Sequence, residues 1–397
     1  MVDCVICRII TYGDDYMKNK LGYVERFTQY VTKYERSFSE KINFLIENNA
    51  HQYTCDSNVN TTDYFELISG LSKNCPSTAL SFSMHLYTQW GMQHILPDKI
   101  LSGILHPEMD NKKIFGSLNE PGIYFVREDQ LIPDHFLIHA RRTNDGYLVN
   151  GVKKFVSLEP FVHFLPVYCY VENPSEHEGR VAVLLLRKSA EGISIEADWD
   201  TISMTESRSN TVRFDNVHVS HSDVLLEKKD ALQKTNVFAY LFRLSIVSVY
   251  FGIAQKAYQF VLDHCKDRQV PHTNRTLSFF PGVQFSVAEM LMLLEGSRSQ
   301  IIRYCELLQK YLEGNSMEDN ISIISLMTKE IVVKNAEQLV NLAMKVVGIS
   351  SITNKNILSK LYQDVKAGQF HPPQSDVSYE MIAKHELGVL THRTRWL

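Results

Sequence analysis

The chain has no large surplus of either charge. Its 397 residues carry 41 Lys and Arg against 45 Asp and Glu, a formal charge of −4, so no basic field exists to hold nucleic acid or an anionic membrane. Gly (18) and Pro (12) stand at ordinary levels, which excludes collagen-like and low-complexity architectures. Cysteine is sparse. The seven residues Cys4, Cys7, Cys55, Cys75, Cys169, Cys265 and Cys305 are odd in number and widely scattered, which excludes a secreted disulfide framework and points to a reducing, cytoplasmic compartment. Cys4 and Cys7 have CxxC spacing, yet no second pair or Cys/His cluster completes a tetrahedral site, so no metal is expected. No basic region followed by an apolar run opens the sequence, and no signal peptide is expected. There is no GxGxxG after a strand, no Walker loop, no HExxH and no GxSxG. Nicotinamide, nucleoside triphosphate and zinc-protease chemistry therefore have no local support.

What is present is 44% hydrophobic residues in a chain long enough for two or three domains. One stretch, Val237 to Ala254, is about long enough to span a bilayer. It contains Arg243, Ser245 and Ser248 and runs on into an amphipathic segment, so a helix buried in a bundle or subunit interface is expected rather than a membrane span. Elsewhere the hydrophobic period divides the chain in three. Residues 16–105 read as helices, including groups at Thr62 to Leu71 and Ser77 to Trp90. Between 112 and 226 the period becomes two. Phe136 to Arg142, the turn Asn144-Asp145-Gly146 and Tyr147 to Gly151 read as a hairpin, followed by strands near 164–171, 181–187, 193–196 and 212–219. Long helical runs return at 237–267, 283–312, 319–347 and 376–391, which suits a four-helix bundle. The expected fold is α+β: an all-α domain (1–111), a β-domain (112–226) and a helical bundle (227–397). Ligand sites are expected in the clefts between them.

The α-β-α order, with several strings, resembles the acyl-CoA dehydrogenase superfamily of flavoproteins. Gly146-Tyr-Leu-Val-Asn-Gly-Val-Lys-Lys-Phe-Val-Ser157 is similar to that family's GYxxNGxKx[WF][IV][ST] segment, and Asn119-Glu-Pro-Gly122 to its TEPG stretch without the GSD that follows. Gly192-Ile-Ser-Ile, Met204 and Asn210 to Val219 resemble the strands closing the β-domain. Asp267-Arg268, Ala343 to Gly348 and Leu361 to Asp364 fall in the family's order. The resemblance implies a barrel- or sandwich-like β-domain and a bound FAD, with FMN or a reduced flavin as the alternative. It implies Asn119, Phe155 and Ser157 as cofactor contacts, Ser157 being a hydroxyl donor to the flavin edge. Arg268, Lys345 and Gly348 match segments that reach a neighbouring subunit's cofactor, implying a homodimer or homotetramer. Two departures stand out there: Pro271 replaces the aromatic of RxxF, and Lys345 replaces a glutamine.

Dehydrogenation beside a thioester needs a carboxylate to take the α-proton. The family's usual position for it falls on Pro372, and the alternative position, beside an arginine resembling Arg243, falls on Phe242. Arg243 is the implied substrate contact. His371 is the titratable neighbour, with an unperturbed pKa that suits acid or base work, and a His at a similar step occurs in reduced-flavin monooxygenases of this fold. The expected function is a flavin-dependent oxidoreductase acting on an acyl thioester, CoA- or carrier-protein-bound, with His371 in the catalytic role. The alternatives are a monooxygenase on a small molecule, supplied by a flavin reductase, and a non-catalytic assembly subunit.

Overall fold

The computed structural model describes residues 16–97, 100–101, 112–118, 131–172, 180–227, 231–315 and 318–389. Four helices lead: α1 (Tyr16–Lys33), α2 (Phe38–Glu47), α3 (Thr61–Ser72) and α4 (Pro76–Ile95). Their starts are written locally. Ser37 and Glu40 form a capping box on α2, Asn60 and Asp63 another on α3, and Pro76 opens α4 where no backbone donor is needed. Helix α4 is buried along nearly its whole length, including its serines and threonines. Its His85 joins two domains, with Nε2 at 3.0 Å from the His51 carbonyl and Nδ1 accepting from the Phe115 amide at 3.1 Å. Burial pushes that imidazole down to about 3, so it is a neutral structural clasp.

Seven strands follow: β1 (Ile138–Arg142), β2 (Gly146–Val156), β3 (Phe164–Glu172), β4 (Arg180–Arg187), β5 (Ile193–Glu196), β6 (Asn210–Ser220) and β7 (Val224–Glu227). They form one sheet in the order β5-β6-β2-β1-β3-β4-β7, antiparallel except for β1 beside β3. The β1–β2 hairpin closes through Asp145 and Gly146, the Thr143 amide donating to the Gly146 carbonyl at 2.9 Å. The barrel- or sandwich-like layer expected from the resemblance is thus one continuous mixed sheet.

Three long helices return: α5 (Asn236–Asp267), α6 (Pro281–Leu312) and α7 (Glu318–Val347). Two short ones, α8 (Ile357–Val365) and α9 (Ser375–Glu386), pack on α7 and fill the remaining side of the bundle. Helix α5 is the one helix among the described residues long and apolar enough to cross a membrane, and 94% of its most apolar window is buried inside the fold. It packs against α3, α4, α6 and α7, so protein covers the surface that lipid would otherwise take.

Candidate active site

A cleft of about 600 Å³ opens where the three parts meet. The helical domain supplies Leu80 and Met84 from α4, the sheet supplies Lys154, Phe155 and Ser157, and the bundle supplies Phe242 from α5. The loop between β5 and β6 adds Trp199, Thr201 to Met204, Ser207 and Ser209, and the segment after α8 adds Lys366, Ala367 and Phe370 to Gln374.

Strand β2 carries two adjacent exposed side chains here by breaking its own alternation. The β2–β6 register shifts between Lys153 and Val156, and Phe155 takes a φ of 62°. A bulge of this kind re-aims a side chain, and Lys154 and Phe155 both face outward, Phe155 58% exposed. Its ring meets Trp199 edge-on at 6.4 Å. Beneath this aromatic corner runs a chain of three buried hydroxyls. Ser157 Oγ lies 2.8 Å from Ser209 Oγ, which lies 2.9 Å from Ser207 Oγ. Sequence reasoning found the first member of that chain; the other two reach it by closure of the 199–209 loop.

That loop is pinned from below. Asp364 on α8 accepts from the Met204 amide at 2.8 Å, and its carbonyl accepts from Ser203 Oγ at 3.1 Å. Met204 adopts a left-handed φ of 51°, and Trp199 Nε1 donates to its carbonyl at 3.1 Å. Burial raises the Asp364 carboxyl to about 6, with Met204's amide opposing.

On the far wall stands His371. Its Nε2 lies 3.0 Å from the Tyr250 hydroxyl, and its ring meets Phe242 and Tyr250 edge-on at 6.4 and 5.7 Å. Burial, and then the Lys329 ammonium, push the imidazole down to about 3. The ring is neutral at neutral pH, which departs from the ordinary value on which an acid–base role rested. Lys329, itself buried, donates to the Pro373 carbonyl at 3.0 Å and to Glu330 at 2.8 Å. Pro372 and Phe242 both line the cleft. They are the two positions at which the resemblance looks for a carboxylate.

The cleft thus gathers Phe155, Ser157 and His371. Arg243 lies outside its lining; the guanidinium is buried among the bundle helices and donates to Ser325 Oγ at 2.7 Å. Arg268 caps the far end of α5, about 39 Å from Phe242 at 1.5 Å per residue. Lys345 and Gly348 are exposed at the end of α7, about 24 Å along that helix from Lys329. Asn119, like Cys4 and Cys7, lies outside the described residues.

The lining fits a flavin. An isoalloxazine is a flat apolar ring with a polar edge, and the cleft offers aromatic walls at Phe155 and Trp199 beside the hydroxyls of Ser157 and Ser209. Lys154 and Lys366 line the same space; the Lys366 ammonium is held by Glu337, and the exposed Lys154 can meet phosphate.

The comparisons agree with this geometry. The family described as acyl-CoA dehydrogenase, middle domain, matches residues 136–217, and the acyl-CoA dehydrogenase C-terminal domain matches residues 235–387. The chain is 24% identical to a 3-(aryl)acrylate reductase of Clostridium sporogenes over 62% of this chain and 63% of that protein. It is 24% identical to a dibenzothiophene monooxygenase of Rhodococcus erythropolis over 63% of each. The matched part spans about three fifths of the length of these curated relatives. Among solved structures, butyryl-CoA dehydrogenase from Megasphaera elsdenii superposes with a TM-score of 0.81 at 16% identity, covering 95% of this chain and 99% of that one. Two family domains in the family's order, together spanning more than half of the chain, establish that the chain belongs to the acyl-CoA dehydrogenase family.

Proposed function

We propose that this chain is a flavin-dependent oxidoreductase of the monooxygenase type, acting on a small, largely apolar molecule. The observation that carries the reading is the pair Pro372 and Phe242, both in the cleft wall and both unable to take a proton. An α,β-dehydrogenation needs a base of matched strength at the substrate's α-carbon, and His371 is pushed well below the range in which imidazole serves as one. Oxygen insertion has no such requirement.

A bound flavin supplies two-electron transfer, to dioxygen when it is reduced. The chain's own residues do the rest. Phe155 and Trp199 would wall the ring, Ser157 would donate a hydrogen bond to its edge, and the apolar Leu80, Met84, Met204 and Phe242 would keep water from it. His371 stands ready to hydrogen-bond the ligand. The distance of Arg268 and Lys345 from the cleft supports a partner-subunit role for both, in a homo-oligomer. A flavin reductase is the partner that this chemistry requires.

Both branches are tested on one preparation. Purified protein loaded with flavin and mixed anaerobically with butyryl-CoA is expected to keep its yellow colour. Supplied with a flavin reductase, NADH and air, it is expected to oxygenate an apolar aromatic probe that carries a ring nitrogen, such as quinoline, followed by mass spectrometry. Anaerobic bleaching by butyryl-CoA would establish the thioester dehydrogenase and overturn the proposal.

A further inference from the structure

The contact between Tyr250 and His371 has chemical content beyond proximity. Tyr250 is fully buried on α5, and its hydroxyl has one hydrogen-bond partner among the described residues, His371 Nε2 at 3.0 Å. A buried phenol keeps its proton: burial raises it well above its ordinary 10, and the Asp364 carboxylate pushes the same way. A buried O–H must also find an acceptor. Nε2 is the acceptor in reach, so it carries the lone pair, and the single proton of the neutral ring sits on Nδ1.

We infer that Tyr250 is a positioning residue that fixes the tautomer of His371, so that the imidazole presents Nδ1–H, a hydrogen-bond donor, to the ligand in the cleft. The rest of the surroundings favour the same state. The turn that carries His371 is held by two donors on the Pro373 carbonyl, Lys329 Nζ at 3.0 Å and Ser378 Oγ at 3.3 Å. Lys329 on α7 opposes a second positive charge on the ring. Phe242 closes one side of it.

This assignment deepens the proposed function and rests on it for the identity of the cleft as the ligand site. It gives the ligand a chemical class. The molecule bound beside His371 carries an acceptor atom, a carbonyl, ether or oxyanion oxygen or a neutral amine or ring nitrogen, on an otherwise apolar body. A neutral N–H can strengthen its bond as negative charge develops on such an atom and needs no proton transfer to do so. Groups that must lose a proton to react find no taker at this position.

The tautomer can be read without turnover. Protein labelled with nitrogen-15 in its histidines is observed in long-range proton–nitrogen correlations near pH 7.5, with His371 assigned by its absence in His371→Gln. The expected spectrum has Nδ1 at the protonated, pyrrole-type shift and Nε2 at the bare, pyridine-type shift. In Tyr250→Phe the Nε2 partner is gone, and the two shifts are expected to converge as both tautomers become populated. Nε2 protonated in the unmodified protein overturns the inference, and so does a folded Tyr250→Phe with an unchanged pair of shifts. If Tyr250→Phe does not fold, the unmodified spectrum decides alone. Failure of the flavin and oxygen assays with the expected spectrum intact would strike the proposed function instead.

Discussion

Asp364 does two things that pull against each other. It fastens the Met204 turn, which shapes the cleft, and it places a carboxyl where burial disfavours its charge. Its Oδ2 is buried with no hydrogen-bond partner among the described residues, so ionisation leaves charge uncompensated. The sign follows from linkage. The folded state holds the proton up to about 6, whereas the free carboxyl releases it near 3.8, so the folded state binds more protons in that window and stability falls as pH rises through it. The loss is about 3 kcal/mol, taking 1.36 kcal/mol per pKa unit. Asp364→Asn keeps an oxygen for the Met204 amide and cannot ionise. Its stability relative to the unmodified protein is expected to be constant below pH 4, to gain about 3 kcal/mol between pH 4 and 7, and to level off above. Urea unfolding across that range measures the difference, and a flat difference would refute the assignment.

Between elements, the placement of a side chain depends on the phase of the helix that carries it. Phe242 and Arg243 are neighbours in sequence but stand about 100° apart around α5, so when one faces the cleft the other faces the bundle. That angle explains why a motif match placed Arg243 at the substrate while the fold turns it to Ser325. The same helix carries a second constraint that composition hides. A Cβ on Gly252 would lie 2.5 Å from the Ser69 carbonyl oxygen and 2.6 Å from Ser72 Cβ, and Ser72 Oγ already donates to the Val249 carbonyl at 2.7 Å. Helix α3 is thus seated directly on α5 at this glycine. Gly252→Ala is expected to force the two helices apart and cost about 1–3 kcal/mol by overpacking, seen as a lower urea midpoint. At Gly296, where a Cβ meets nothing within 4 Å, alanine is expected to gain up to about 1 kcal/mol from helix propensity.

Legibility followed the same divide between local and long-range causes. The long helices and the strands from 138 to 220 stand within a few residues of where periodicity places them, because each buries one face or is buried throughout. The short elements β7 and α8 escaped: Val224-Leu-Leu-Glu227 does not alternate, and nine residues give α8 little more than two turns of period. Phe155 and Ser157 were readable through a motif that also encodes the bulge. Nothing near His371 in sequence announces Tyr250, 121 residues away, and the neutrality of the imidazole is a property of that distant packing. Ser207 and Ser209 were invisible for the same reason: ordinary loop serines become part of the site only when Asp364 closes the loop.

At the scale of the whole molecule the outer face of α6 is the feature left uncovered. Phe285 and Met292 are 74% and 75% exposed. They lie seven residues apart, two turns along one face, and with Ala288, Leu293 and Asn335 they line a shallow groove. Phe279 just before the helix is 60% exposed. A soluble monomer seldom leaves so many large apolar side chains together, and no element among the described residues lies over them. The homo-oligomer expected from the sequence would bury this face in a symmetric contact. Phe285→Ser combined with Met292→Ser touches neither the core nor the cleft. It is expected to leave the melting temperature of the subunit nearly unchanged while shifting sedimentation from dimer or tetramer toward monomer. If Arg268 serves a partner's cofactor, flavin affinity falls in that dissociated variant although every residue of its own cleft is intact. A variant that sediments as monomer and binds flavin as tightly as the parent would place the whole cofactor site within one chain.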